Sequence, residues 1–164
     1  MADGLTITLD GVDELKRALK DASVQIRTKA VRGALREAGK VIQGAARAAA
    51  PVLAVPTDRR KSGTVKKNIF TRVSKFAKQD GNEGVYINVR SIRGAARVKR
   101  LGKAGAANPN DPYYWRFLEF GTRKMAPRPF LRPAATANFP AAVSKFMQSV
   151  VPQIEKLNNR AKLK

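Results

Sequence analysis

The stretch "YYWRFLEFGTRKMAPRPFLRP", Tyr113 to Pro133, gathers six of the chain's eleven aromatic residues into eighteen positions. Asp111 and Pro112 supply an N-cap and a first-turn proline, and Gly121 supplies a stop, so Tyr113 to Phe120 is expected to form about two helical turns. On such a helix Tyr113, Phe117 and Phe120 share one side, Tyr114 and Leu118 another, and Trp115 points in a third direction. A helix apolar on most faces needs cover on two sides, and a chain of 164 residues offers one modest core. The second covering surface is expected to be another subunit, because aromatics and Arg are what interface hot spots use.

Beyond the helix, Pro127, Pro129 and Pro133 bias Ala126, Arg128 and Arg132 toward extended backbone. Phe130 and Leu131 project from a strut that is stiff before it meets anything. Either they dock into a neighbour's groove at small entropic cost, or the strut tucks Phe130 into the chain's own core. Glu119 is the only acid between Asp111 and Glu155. A carboxylate among aromatics is expected to pair with Arg116, Arg123 or Arg128, the alternative being an ordinary exposed helix acid.

Working outward, "LTITL", Leu5 to Leu9, alternates as a short strand or extended arm does. Asp10 is placed to cap a helix that carries Val12, Leu15 and Leu19 on one stripe and runs to about Lys20. From Ala22 to Ala50, Val24, Val31, Ala34, Leu35, Ala38, Val41, Ile42, Ala45, Ala46 and Ala49 recur at three and four, which is one long helix ending before Pro51. Its alanines either admit a close backbone neighbour or simply favour the helix.

Ile69, Thr71 and Val73 alternate in one segment and Val85, Ile87 and Val89 in the next, with the turn-rich "AKQDGNEG" between them. That pattern predicts a β-hairpin with one apolar face and one cationic face, the latter carrying Lys67, Phe70 and Arg72 opposite Tyr86, Asn88 and Arg90. Ile92 to Pro112 is the least structured part by composition, and reads as a segment that orders on a partner or stays a flexible tether. The C-terminal part begins helix-like at Pro133 and again after Pro140, with Val143, Phe146, Met147, Val150, Val151, Ile154 and Leu157 as its stripe, interrupted or kinked at Pro152. The fold class is α+β: a long N-terminal and a C-terminal helix packed on a small antiparallel β-sheet, plus a short aromatic helix. A single domain over 1–164 is expected, with a basic flexible loop at about 92–110 and a basic tail at about 158–164.

The chain has no Cys and no His, which removes disulfides, thiolate chemistry and the commonest general base and metal ligand. No cofactor, metal or catalytic role is expected; Ser62 with Lys61 or Lys66 is a conceivable dyad, but no surrounding motif supports it. No membrane partner is expected either, since no signal-like start or membrane-length apolar run is present and the chain reads as soluble and intracellular. The 33 Lys and Arg against 12 Asp and Glu give a formal charge of +21, which points to a polyanionic partner rather than to a solvated cationic surface. The excess is local: Arg59 to Lys103 holds fourteen basic residues against Asp80 and Glu83.

In order along the chain, "GVDELKRAL", the alanine-rich helix ending "ARAAAPV", "SGTVKKNI", "YYWRFLEFGT" and "PRPFLRPA" resemble a family of tailed-phage neck and tail-completion proteins, the one that includes the lambda-like minor tail protein Z. The last two motifs are the specific ones. Two features depart from the family's pattern, the inserted "LAVPTDRRK" before Gly63 and the basic segment Ile92 to Asn110.

The resemblance implies a structural virion protein, made in the host cytoplasm, that forms a homo-oligomeric ring at the head-tail junction, with a hexamer favoured and a dodecamer the other order. Its partners would be neck, connector and tail-tube or tail-terminator proteins, and double-stranded DNA in the channel without sequence specificity. Tyr113, Tyr114, Trp115, Phe117, Glu119, Phe120, Gly121, Arg128, Pro129, Phe130 and Leu131 would then form the subunit interface or close the fold. Charge density nominates Lys66, Lys67, Arg72, Arg93, Arg97, Lys99, Arg100 and Lys103 as DNA-facing. The competing function is a stand-alone, sequence-nonspecific nucleic-acid-binding protein, for which the charge speaks but no recognisable signature does.

Overall fold

The computed structural model describes residues 12–79, 82–92 and 95–162. The strand expected at Leu5 to Leu9, the Asp10 cap, Arg93 and the end of the basic tail lie outside the described residues. In order, the elements are α1 (Val12–Asp21), α2 (Val24–Ala49), α3 (Thr64–Lys67), β1 (Ile69–Val73), α4 (Lys75–Gln79), β2 (Val85–Val89), α5 (Ala95–Leu101), a 3-10 turn (Gly105–Ala107), α6 (Trp115–Phe120) and α7 (Leu131–Lys162). This is the α+β class read from the sequence. The described residues divide into two compact units, one within 12–41, 73–86 and 138–162, the other within 42–72 and 87–137.

The first unit is a helical assembly. Asp13 and Glu14 in the first turn of α1 and Lys20 in its last suit the helix dipole. Ser23 accepts weakly from Ile26 N (3.4 Å) at the start of α2. Ala30 and Ala34, one turn apart and fully buried, cluster with Ala22, Val150 and Ile154, with Leu15, Leu19, Phe146 and Leu157 packed around them. The alanines thus serve close packing here. Arg32 holds Glu83 through two donors, Nε at 2.8 Å and Nη2 at 2.6 Å. α7 runs unbroken through Pro140 and Pro152, where two separate helical starts and an interruption or kink at Pro152 were expected. Each proline removes one N–H from the ladder, and around Pro152 the buried Val150 and Ile154 hold the helix in place. The linker expected to be only turns contains α4, with Ser74 Oγ accepting from Ala77 N (3.2 Å) as its cap.

The second unit is built on the hairpin. Arg90 N donates to Asn68 O at 2.8 Å, an antiparallel register that sets Ile69 opposite Val89. Those two residues join Ala46, Ala50, Val65, Trp115, Phe130 and Ala134 in one buried cluster. The free edge of β1 is occupied by side chains of α2. Gln43 donates to Ile69 O (3.1 Å) and accepts from Thr71 N (3.1 Å), while Arg47 also donates to Ile69 O (2.8 Å). A side-chain amide thereby makes the bonds a third strand would make, and blocks strand addition there. Lys67, expected on the strand, instead ends the helical turn α3, because Gly63 at φ +70 turns the chain before it.

Candidate functional site

The aromatic segment is held by hydrogen bonds that converge on one carboxylate. Glu119, 1% exposed, accepts from the backbone N–H of Phe130 (2.8 Å), Leu131 (3.0 Å) and Arg132 (3.0 Å). These are the open donors at the start of α7, so a residue of one helix caps another. Arg132 Nε adds a bond at 3.3 Å and Arg132 Nη2 reaches Glu119 O at 3.2 Å. The expected partners Arg116, Arg123 and Arg128 are therefore replaced by Arg132 and, above all, by main chain. Burial by itself would raise the Glu119 carboxyl, but the three backbone N–H groups and Arg132 outweigh it and hold the group below the usual carboxylate range.

Two more contacts complete the clasp. Arg128 N donates to Leu118 O at 2.7 Å, and Gly121, at φ +76, donates to Phe117 O at 2.9 Å as α6 ends. A Cβ on Gly121 would sit 2.9 Å from Met125 O and 3.0 Å from Pro127 N, so only glycine fits this turn. Pro129 itself is exposed. Phe130 is fully buried, which decides between the two readings of the strut: it fills the unit's own core, with Leu131 packed beside it.

α6 has an inner and an outer face. Trp115 is 8% exposed, and Tyr114 and Leu118 pack against the same core, whereas Phe117 is 49% and Phe120 61% exposed. Tyr113 meets Tyr114 edge-on, ring centroids 5.4 Å apart. Arginines lie over several of these rings: Arg60 over Tyr114 at 5.0 Å, Arg116 over Trp115 at 5.5 Å and Arg132 over Phe120 at 4.9 Å. Burial raises the Tyr114 hydroxyl above its ordinary range, with Arg60 opposing and Tyr113 reinforcing the shift.

Asp111 does not cap α6, as its place before Pro112 predicted. Tyr114 stands at the N-cap with no side-chain cap bond. The buried Asp111 carboxylate instead reaches back to Ile92 N (3.0 Å) and Gly105 N (2.7 Å). Asn108 adds bonds to Leu101 O (3.1 Å) and Lys103 O (2.8 Å), so two polar side chains tie together the segment that composition left least structured.

Charge follows the same division. The second unit holds eighteen of the 33 Lys and Arg but only Asp58, Asp111 and Glu119 among the acids. Two of those three are buried and bound to backbone N–H. Of the DNA-facing candidates, Lys66 and Lys67 are exposed on α3, Arg72 on β1, and Lys99, Arg100 and Lys103 on and after α5, which also carries Arg97. Arg72 comes together with Arg90 and Arg116, neither of which charge density nominated, around a cleft of about 220 Å³ that Asn88, Val89, Ser91 and Trp115 also line. Arg90 was read from the sequence as part of the hairpin's cationic face with Arg72, but not as a DNA-facing residue.

The architecture is that of an α+β chain whose short aromatic helix is anchored on one side and open on the other. Residues 13–121, about two thirds of the chain, match the family model described as "Bacteriophage HK97-gp10, putative tail-component". The chain belongs to this HK97-gp10-like family, and is a structural, tail-related protein of a phage virion. The match includes α6 and ends before Arg128 to Leu131. No curated protein and no solved structure matches the chain. Among the described residues no helix is long and apolar enough to cross a membrane.

Proposed function

We propose that the protein assembles into a closed ring at the phage head-tail junction, a hexamer by preference and a dodecamer as the alternative, and completes the neck or tail so that it joins the head. The observation that carries this reading is the division of α6: its inner face builds the core through Trp115, while Phe117 and Phe120 stand exposed beside it. Large exposed aromatics next to arginines are the raw material of an interface, and a heterologous contact of that kind closes into a ring when its rotation permits. Tyr113 extends that surface; Tyr114, Glu119, Gly121, Arg128, Phe130 and Leu131 hold it in shape.

In the ring, each basic residue is multiplied by the number of subunits. Lys66, Lys67, Arg72, Arg97, Lys99, Arg100 and Lys103 then offset phosphate repulsion as duplex DNA passes, and Arg93 belongs to the same set. The whole chain acts as one neck or tail-completion domain. Its basic loop at about 92–110 and its tail at about 158–164 meet DNA, or acidic faces of adjoining connector, tail-tube or terminator proteins. Nothing in this role calls for catalysis or a cofactor.

The near-total absence of free acids in the second unit also favours a second reading, a stand-alone binder of nucleic acid without sequence preference. Mass measurement of the purified protein at low and high salt, without DNA, separates the two. A discrete ring mass is expected; a monomer at every salt and concentration that binds DNA would overturn the ring.

A further inference from the structure

Arg72 of β1, Arg90 just after β2 and Arg116 of α6 converge on one cleft whose floor is the buried pair Val89 and Trp115. Among the described residues no carboxylate lines it. Of the unit's three acids, Asp111 and Glu119 are buried and engaged by backbone N–H groups, and Asp58 lies in the separate loop with Arg59 and Arg60. Arg116 is steadied over the Trp115 ring, and the Arg90 Nε, like those of Arg27 and Arg47, is buried without a hydrogen-bond partner among the described residues. Three guanidinium forks around one concavity are suited to an oxyanion, which they engage through paired N–H groups.

We propose that this cleft is a phosphate clasp for the backbone of duplex DNA. It deepens the channel reading above, on which it rests, by assigning the contact to Arg72, Arg90 and Arg116. Charge count favours a phosphate backbone over a carboxylate of a neighbouring protein. A single carboxylate would neutralise one of three clustered cations and leave the surrounding excess untouched. A duplex presents about one negative charge per 1.7 Å of axis, so successive phosphates match both the clasp and the basic residues around it. Because only phosphate oxygens are engaged, the clasp reads no sequence.

The test is fluorescence anisotropy with short duplexes of two unrelated sequences, across a salt series, on the full-length protein. The Arg72→Gln/Arg116→Gln pair is the main variant, since both side chains are exposed and the fold is expected to survive, with circular dichroism as the check. Arg90→Gln is the second variant, and Lys99→Gln/Arg100→Gln is the comparison. The main variant is expected to weaken binding about tenfold or more on both sequences, and to flatten the slope of log K against log salt by about 2. Arg90→Gln should flatten it by about 1. A folded main variant with wild-type affinity and slope overturns the clasp. So does one that loses its oligomeric mass while keeping the DNA slope, which would make the cleft a subunit contact. The ring reading fails separately: a monomeric wild type whose DNA binding still depends on the three arginines keeps the clasp and sinks the ring. A ring that binds no duplex does the reverse.

Discussion

The two units solve the problem of burying a core in opposite ways. The first, residues 12–41, 73–86 and 138–162 as described, packs alanine and aliphatic side chains between helices, and every buried polar or charged side chain of the described residues lies in the other unit. The second buries Trp115 and Phe130 together with two carboxylates, Glu119 and Asp111, each satisfied by main-chain donors. The difference has a consequence for the surface. Taking two of its three acids inside leaves the second unit with one free acid against eighteen basic residues, so the device that fixes its loops also strips its exterior of negative charge. Structure and electrostatics are set there by the same two residues.

The sharpest way to break this contrast is at the clasp of α6. Phe130→Ala removes a fully buried ring and should cost about 3–5 kcal/mol, read by urea denaturation. Glu119→Gln keeps the size but weakens three backbone bonds and the Arg132 contact at once, and should cost about 2–3 kcal/mol. Arg32→Gln in the first unit, where the ion pair with Glu83 is only partly buried, should cost about 1 kcal/mol or less. If Arg32→Gln destabilises as much as Glu119→Gln, the claim that the second unit depends on its buried carboxylate is wrong.

Acid titration sharpens the same point. Glu119 has a lowered pKa in the folded state because burial, which opposes ionisation, is outweighed by its backbone and Arg132 donors. Its contribution to stability is therefore fully present above the unfolded-state value of about 4.3 and is lost as pH falls through the lowered folded value. Wild-type stability should drop below about pH 4, and Glu119→Gln should show a shallower drop in that window.

Much of the fold was legible because it rests on periodicity. Val12 with Leu15 and Leu19, the alanine series to Ala49, and the alternation at Ile69 to Val73 and Val85 to Val89 each name their element directly. The stop at Gly121 was legible for a steric reason that a single residue carries. What escaped depends on main chain meeting side chain at long range. Glu119 seeks backbone N–H groups at residues 130–132, and main-chain donors have no letter in a sequence, so only nearby arginines could be nominated. Asp111 stands where an N-cap stands, yet its carboxylate turns back to Ile92 and Gly105. The continuity of α7 through Pro140 and Pro152 escaped because local propensity opposes it and tertiary packing overrides it. Phe130 was seen as either core or contact, and its burial could be decided only by where Trp115 and Ile69 lie.

A small expected effect on stability belongs to the outer face of α6, and it carries the largest expected effect on assembly. Phe117→Ser with Phe120→Ser should change stability by about 1 kcal/mol, since Phe117 is half exposed, Phe120 more so, and Arg132 leans on Phe120. Light scattering on wild type and this double variant, at matched salt and without DNA, tests the account most directly. It predicts a discrete ring mass for wild type and a folded monomer for the variant; a variant with the same ring mass, or a wild type that stays monomeric throughout, would contradict it.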